Sequence, residues 1–186
     1  IRYKSNNIIE YWNKFENVTV NISFDDMGAG AEYSRHGTLW SQVKRNYFEV
    51  MEKCPHVTIN ITSTYSIYNV FNLMKFQHEW LENENVHADN LSFHVLTNPH
   101  YLSIQLLPTE YKENITALIH NHIEFLRGCK ADNLIVTWKS ALSYLNSSDY
   151  SFKLNKFFEY NDKLDCHRKE SFDDVYPELK DLRNYI

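Results

Sequence analysis

The sequence predicts an α/β protein with parallel strands, followed from Pro108 onward by helices alone. Three observations carry this. Segments 18–24, 56–64 and 91–96 alternate apolar and polar side chains, the period of a strand. The stretches between them repeat apolar residues at helical spacing. Such connections make consecutive strands parallel and their crossovers right-handed. Beyond Pro108 the apolar residues recur only at helical spacing. The expected core is three parallel strands near 18–24, 57–62 and 91–96 with helices on one side.

Composition sets the bounds. A chain of 186 residues makes one ordinary domain or one and a half small ones, and 43% apolar residues suffice for a core. Four glycines and four prolines argue against long linkers. A formal charge of −5 offers no basic stripe to nucleic acid, and no apolar run approaches membrane-spanning length, so neither partner is expected. Cys54, Cys129 and Cys166 are far apart and odd in number, which suits neither a disulfide framework nor a zinc site. A reduced, cytoplasmic setting is the expectation. His120 and His122 stand two apart on a helix and read as surface histidines, not metal ligands. N-x-S/T triplets, as at Asn21, Asn60 and Asn114, read as chance matches, because Asn21 and Asn60 lie in expected strands. The opening IRYKSNNIIEYW, without an initial Met, reads as the middle of a longer chain whose N-terminal part is missing; a processed mature chain is the alternative.

In chain order, 5–16 reads as a short helix with Ile8, Ile9, Trp12 and Phe15 on its apolar stripe. Strand 18–24 ends on Asp25 and Asp26, and Gly28 and Gly30 allow a tight turn. Glu32, Tyr33, Arg35 and His36 form a compact polar set before a helix that Thr38 would cap. Leu39, Val43, Tyr47, Val50 and Met51 mark that helix, and Cys54-Pro55 ends it. Strand 56–64 runs into Ser63, Thr64, Tyr65, Ser66 and Asn69. A helix follows with Val70, Leu73, Met74, Trp80 and Leu81 buried. After strand 91–96 the chain turns at Thr97-Asn98-Pro99, and 101–107 reads as extended again, as a hairpin partner or an edge. Strand, polar loop, helix is the unit that holds ligands at strand C-terminal ends. Three parallel strands leave an open edge that something should cover.

From Pro108 three longer helices are expected. The first is capped by Thr109, carries Tyr111, Ile115, Leu118, Ile119, His122 and Leu126 inside, and stops at Gly128. The second opens at Asp132 or Asn133 with Leu134, Ile135, Trp138, Ala141, Leu142 and Leu145. The third carries Leu154, Phe157, Phe158 and Leu164, and a short helix near 175–182 closes the chain. Residues 1–107 and 108–186 are thus read as two parts.

Within this frame SFDDMGAGAEYSRHGTLWSQVKRN resembles the fourth-strand segment of radical S-adenosylmethionine enzymes with a shortened SPASM-type (twitch) C-terminal domain. Ser23, Asp25, Gly28, Glu32, Tyr33, Arg35, Gly37, Trp40, Val43 and Asn46 match that pattern. TINITSTYSIYNVFNLMKF is similar to the family's fifth strand, with Asn69 in the matching place. NPHYLSIQLLP resembles its P-x-Y-L-S-I-x-x-L-P segment, and FFEYNDKLDCHRKESFDDVYPELKDL its closing L-D-x-x-R-x-x-S-F…P-E-L. Two departures stand out. Asp26 replaces the usual Gly, and the C-x3-C-x2-C loop of the [4Fe–4S] cluster is absent, as is the Gly-Gly-Glu segment. Cys166 sits where the family reserves no cysteine.

The resemblance implies the second half of a partial (β/α) barrel in 1–107 and a helical twitch-like subdomain in 108–186. It implies S-adenosylmethionine as cofactor and a [4Fe–4S] cluster in the parent protein, with ligands outside this chain. The cluster would supply the electron for radical chemistry, on an unassigned substrate for which a peptide is one candidate. The missing N-terminal half would be the chief partner, and the fragment alone would be inactive. Ser23 and Asp25 would meet the ribose diol, Arg35 the carboxylate, and Asn69 would line the same mouth. Bland roles stand beside each: Asp25 capping its loop, Arg35 paired with Glu32, Asn69 as an N-cap, Tyr33 and Trp40 in packing, and Asp165 with Arg168 as a local ion pair. Two other functions stay open, a non-catalytic binding or scaffold module and a metal-dependent α/β enzyme using Asp25 and Asp26.

Overall fold

The computed structural model describes residues 2–3, 6–84 and 86–186. After a short antiparallel pair, β1 (Arg2–Tyr3) and β2 (Asn6–Asn7), its centre is a parallel sheet in the order β3 (Val18–Ser23), β4 (Val57–Tyr65), β5 (Leu91–Val95). The three expected strands are all present. Val20 lies opposite Ile59, and Ile61 opposite Leu91. Between β3 and β4 the chain forms α2 (Gly28–Ser34) and α3 (Trp40–Lys53); between β4 and β5 it forms α4 (Asn72–His78), continued by a π-helical turn over Glu79–Asn83.

The strand period decides what each face of the sheet does. Ile59, Ile61, Tyr65, Leu91 and Phe93 are buried on one face. Thr19, Asn21, Ser23, Thr58, Ser92 and His94 point the other way and are exposed. Asn60 Nδ2 donates to Asn21 Oδ1 at 3.0 Å on that polar face, and the Thr62 and Ser92 hydroxyls pair at 3.0 Å.

Helices cover the apolar face. Trp80 is fully buried among the rings of Phe24, Trp40, Tyr47 and Phe76. Further along come α5 (Thr109–Gly128), α6 (Asp132–Asn146) and α7 (Leu154–Arg168), the short α8 (Phe172–Val175) and a 3-10 helix over Pro177–Tyr185. Trp138 of α6 meets Tyr65 and Phe93 with ring centroids 4.9 and 4.7 Å apart. One apolar core runs from Ile9 to Leu182 through both parts of the chain.

A polar junction lies inside it. Trp138 Nε1 and His122 Nε2 both meet Gln77 Oε1, at 2.8 and 2.7 Å. Indole can only donate, so the Gln77 atom is the carbonyl oxygen and His122 Nε2 carries the proton. His122 is 3% exposed, which agrees with its place among the inside residues of α5 and corrects its reading as a surface histidine. Burial holds its pKa down near 3, so the ring is neutral.

Several expected elements differ. The helix read over 5–16 is only α1 (Ile8–Trp12), and Asn6–Asn7 before it pairs antiparallel with Arg2–Tyr3; Ser5 lies outside the described residues. Asn7 accepts from Ile9 N at the start, and Asn13 N closes on Ile9 O at the end. Only Ile9 of the expected stripe is buried, and Phe15 is exposed. Segment 101–107 is not extended. It forms two 3-10 turns, His100–Leu102 and Ile104–Leu106, with Gln105 N donating to the Ser103 hydroxyl. Gln105 Nε2 donates to Tyr144 O and Ser147 Oγ, which anchors these turns to the end of α6. The closing helix is α8 plus the 3-10 helix instead of a single α-helix, because Pro177 interrupts the ladder.

Trp80→Ala should cost about 3–5 kcal/mol, because four rings lose their common centre. Phe15→Ala, on the surface, should stay within about 0.5 kcal/mol. Urea melts of the two variants against the parent chain measure the difference.

Candidate functional site

The polar cluster gathers where β3 and β4 end. Asp25 stands two residues past the end of β3, after Phe24. Its Oδ2 accepts from Arg35 Nε at 3.0 Å and stands 2.9 Å from Nη2, so the guanidinium fork closes on one carboxylate oxygen. Its Oδ1 accepts from Thr64 N at 2.7 Å, which ties the end of β3 to β4. Asn69 completes the tie. Its amide donates to the Asp25 and Thr64 carbonyls, and its Oδ1 accepts from Ser66 N at 2.9 Å. Asn69 is 1% exposed.

Local sequence explains how Arg35 returns to Asp25. Gly28, at φ +54°, starts α2 in a backbone region that side chains disfavour. A Cβ on Gly30 would stand 2.2 Å from Asp26 Oδ2, so the turn admits no larger residue there while Asp26 keeps its place. Helix α2 was not expected in what reads as a loop. It places Arg35 at its C-cap, and Gly37 at φ +88° then turns the chain toward α3. Thr38 does not cap α3. Glu32 Oε1 accepts from Trp40 N at 2.9 Å instead, which also removes Glu32 from Arg35.

The chain's closing segment docks on the same loop. Tyr33 OH bonds Asn161 Oδ1 and Asp165 Oδ1 of α7 at 3.2 and 2.9 Å. Asp165 Oδ2 accepts from Phe172 N, and Arg168 donates to Tyr33 O at 3.1 Å, so Asp165 and Arg168 serve other partners than each other. His36 meets Glu170 at 2.6 Å. Tyr33, Tyr68 and Tyr176 are all buried, and burial raises their pKa values far above the ordinary phenol, so each stays a neutral donor.

A cavity of about 170 Å³ lies at these strand ends, lined by Asp25, Asp26, Thr64, Ser66, Tyr68 and Tyr176 among others. It is smaller than the ~300–1,000 Å³ of whole-ligand pockets and suits one end of a ligand. Asp26 is 2% exposed. Its Oδ1 accepts from Met27 N at 2.7 Å and its Oδ2 from Asn72 Nδ2 at 3.3 Å. Burial pushes its pKa up to about 6.

Of the four residues singled out from sequence, Asp25, Arg35 and Asn69 converge, bonded to one another or to shared backbone. Ser23 stands on the exposed polar face of β3. Sequence reasoning missed Tyr68, Tyr176 and Asn161. Asn161 carried a signal: it is a polar residue one turn after Phe157 on an otherwise apolar stripe, and it is 0% exposed. Among the described residues, no group of three or more His, Cys, Asp and Glu is placed to hold a metal ion.

Two tests probe this cluster. The native Asp26 binds its proton more tightly than the unfolded carboxyl, from a model value of 3.8 to about 6. Its contribution to stability is therefore fully present below the unfolded pKa and lost as pH rises through about 6. Asp26→Asn should flatten this slope, gaining on the order of 2 kcal/mol over the parent between pH 5 and pH 8 in melts. Gly30→Ala should cost about 1–3 kcal/mol in the parent and clearly less beside Asp26→Ala, a coupling that a double-mutant cycle reads. Comparison of the chain with protein-family models, curated proteins and solved structures finds no match in any of the three.

Proposed function

We propose that these residues form the C-terminal part of a radical S-adenosylmethionine enzyme: the second half of a partial (β/α) barrel followed by a twitch-like helical subdomain. One observation supports this most. A parallel sheet is normally covered on both faces. Here one face is apolar and lies under helices, while the other carries hydroxyls, amides and one imidazole and is exposed. That suits the inner wall of a barrel built around a polar ligand. The carboxylate, guanidinium and amide of Asp25, Arg35 and Asn69 lie at the C-terminal ends of its strands, where α/β folds bind ligands.

The donor set fits S-adenosylmethionine in type. Ser23 offers a ribose diol a hydroxyl that is unbonded among the described residues, and Asp25 has lone pairs beyond those it uses on Arg35 and Thr64. Arg35 is part-exposed, and its Nη1 is unbonded among the described residues, which leaves a donor for a carboxylate. When bound, the cofactor and its cluster supply one-electron cleavage chemistry; the cluster ligands belong to the parent protein outside this chain. The work of this chain is orientation and exclusion of water. Asp25 fixes the Arg35 fork, Asn69 fixes the strand ends, and the buried tyrosines close the floor.

A second reading, a non-catalytic binding module, is favoured by the way Asp25 and Arg35 are committed to each other. Calorimetric titration of S-adenosylmethionine into the anaerobically reconstituted parent protein separates the two. Arg35→Ala should weaken binding about ten- to a hundredfold, as expected for a lost charge-assisted hydrogen bond. Arg35→Lys should recover only part of this, because an ammonium cannot grip a carboxylate bidentately. Unchanged affinity in a folded Arg35→Ala variant would favour the binding module.

A further inference from the structure

Helices α4 and α5 and the closing 3-10 helix leave two adjoining hollows of about 630 and 610 Å³, which share Phe71, Asn114 and Glu178 as wall. Unlike the cavity at the strand ends, each has room for a whole small ligand. In the first, the carboxylates of Glu110, Glu178 and Asp181 stand beside the rings of Phe71, Tyr111 and Tyr185, and no Lys, Arg or His lines it. The Tyr111 ring centroid lies 6.5 Å from that of Phe71 and 6.1 Å from that of Tyr185. Tyr185 OH donates to Glu110 and Asn72 Nδ2 to Glu178, whereas Asp181 bonds nothing among the described residues. Burial first, then the charges of Asp181 and Glu110, push the Tyr111 pKa up, so these rings stand in a negative field. Aromatic faces beside carboxylates attract an organic cation.

The second hollow has Phe71, Met74 and Leu118 in its wall, and also His122. His122 is the most buried residue of either wall. Its Nε2 carries the proton and donates inward to Gln77. Its Nδ1 is therefore a bare lone pair on the other side of the ring, and among the described residues nothing donates to it. Burial keeps the ring neutral, so that lone pair stays available. A buried acceptor without a donor is destabilising, and a hydroxyl brought by a ligand would satisfy it. Asn114, which lines both hollows, and His122 lie about 12 Å apart along the axis of α5.

We propose that this groove binds a small linear primary amine with a hydroxyl at its far end. The ammonium sits among Glu110, Glu178 and Asp181 against the Tyr111 ring. The methylene chain lies along Phe71, Met74 and Leu118. The hydroxyl donates to His122 Nδ1. A second ammonium in place of the hydroxyl is disfavoured, because Lys75 lines that hollow. An anionic ligand is repelled by the three carboxylates. A passing polypeptide is disfavoured too, because a contact as deep as His122 takes the end of a ligand. The proposal does not rest on the reading above. No residue of these walls bonds Asp25, Arg35 or Asn69, so failure of the S-adenosylmethionine titration leaves it standing, and its own failure leaves that reading standing.

The test is an NMR titration of the 186-residue chain with 8-amino-1-octanol, whose extended length matches the span from the acidic hollow to His122. Saturable shifts at Tyr111, Asp181 and His122 should give a Kd below about 1 mM. The nitrogen resonance of His122 Nδ1 should move upfield, as a bare imidazole nitrogen does on accepting a hydrogen bond. Octylamine, which lacks the hydroxyl, should bind about tenfold more weakly and leave that resonance in place. 1,8-Octanediol, which lacks the charge, should bind at least about tenfold more weakly. Asp181→Lys should weaken 8-amino-1-octanol by at least about tenfold with an unchanged melt, since Asp181 is exposed and bonds nothing among the described residues. The proposal is overturned by no saturable shift at about 10 mM, by octanediol binding as tightly as the amino alcohol, by a His122 nitrogen that does not move at saturation, or by unchanged affinity in Asp181→Lys.

Discussion

The carboxylate of Asp25 is the constraint on which the ligand-facing end depends. It stands just past the end of an edge strand, beyond Phe24, where parallel pairing would otherwise fray. One oxygen holds the Thr64 amide and the other the Arg35 fork. The first bond carries the β3–β4 pairing past the last ladder residue; the second closes the excursion through α2 back onto the strand. The Asp25 side chain is 16% exposed and that of Arg35 38%, so the pair is shielded on the carboxylate side only. Its value is geometric: it sets where every other polar group at the strand ends stands.

The chain's last third is folded into that arrangement. Tyr33 reaches from α2 to Asn161 and Asp165 on α7, and Tyr176 OH donates to Gly30 O at 3.1 Å. The rings of Tyr33, Tyr68, Phe157, Phe172 and Tyr176 pack between these bonds. Two prominent features of the sequence, the glycine-bearing loop and the aromatic tail, are therefore two sides of one contact. Removing the tail would uncover the floor of the cavity as well as apolar surface.

Much of this was legible in the amino-acid order. Alternation in VTVNISF and VTINITSTY set strand position and facing, and the helical connections set parallel direction, because both follow from periods that tertiary contacts do not alter. The three longer C-terminal helices were legible for the same reason. Helix α2 was not, because GAGAEYS has two glycines and reads as a turn; a buried Asp26 against Gly30 and the docked Tyr33 override that local preference. The 101–107 segment failed in the opposite way. Its apolar residues fit a strand, but the Ser103 hydroxyl and the Gln105 contacts to α6 favour turns. At the site, the resemblance pointed to Asp25, Arg35 and Asn69, whereas the way they satisfy one another was not legible. The sequence suggested Glu32 for Arg35, and only the cap that Glu32 gives Trp40 explains why Asp25 takes that place.

The Gln77 junction has a mechanical meaning. One amide oxygen receives two fixed donors, the indole of α6 and the imidazole of α5, and itself belongs to α4. Three helices from separate stretches of the chain are keyed to a single atom. A helix packed by apolar contacts alone can slip by rotating about its own axis, since greasy surfaces tolerate many settings. Here such a rotation in any of the three would strand a donor in the dry interior. The junction thus acts as an angular detent, holding the helical layer at one rotational setting over the sheet.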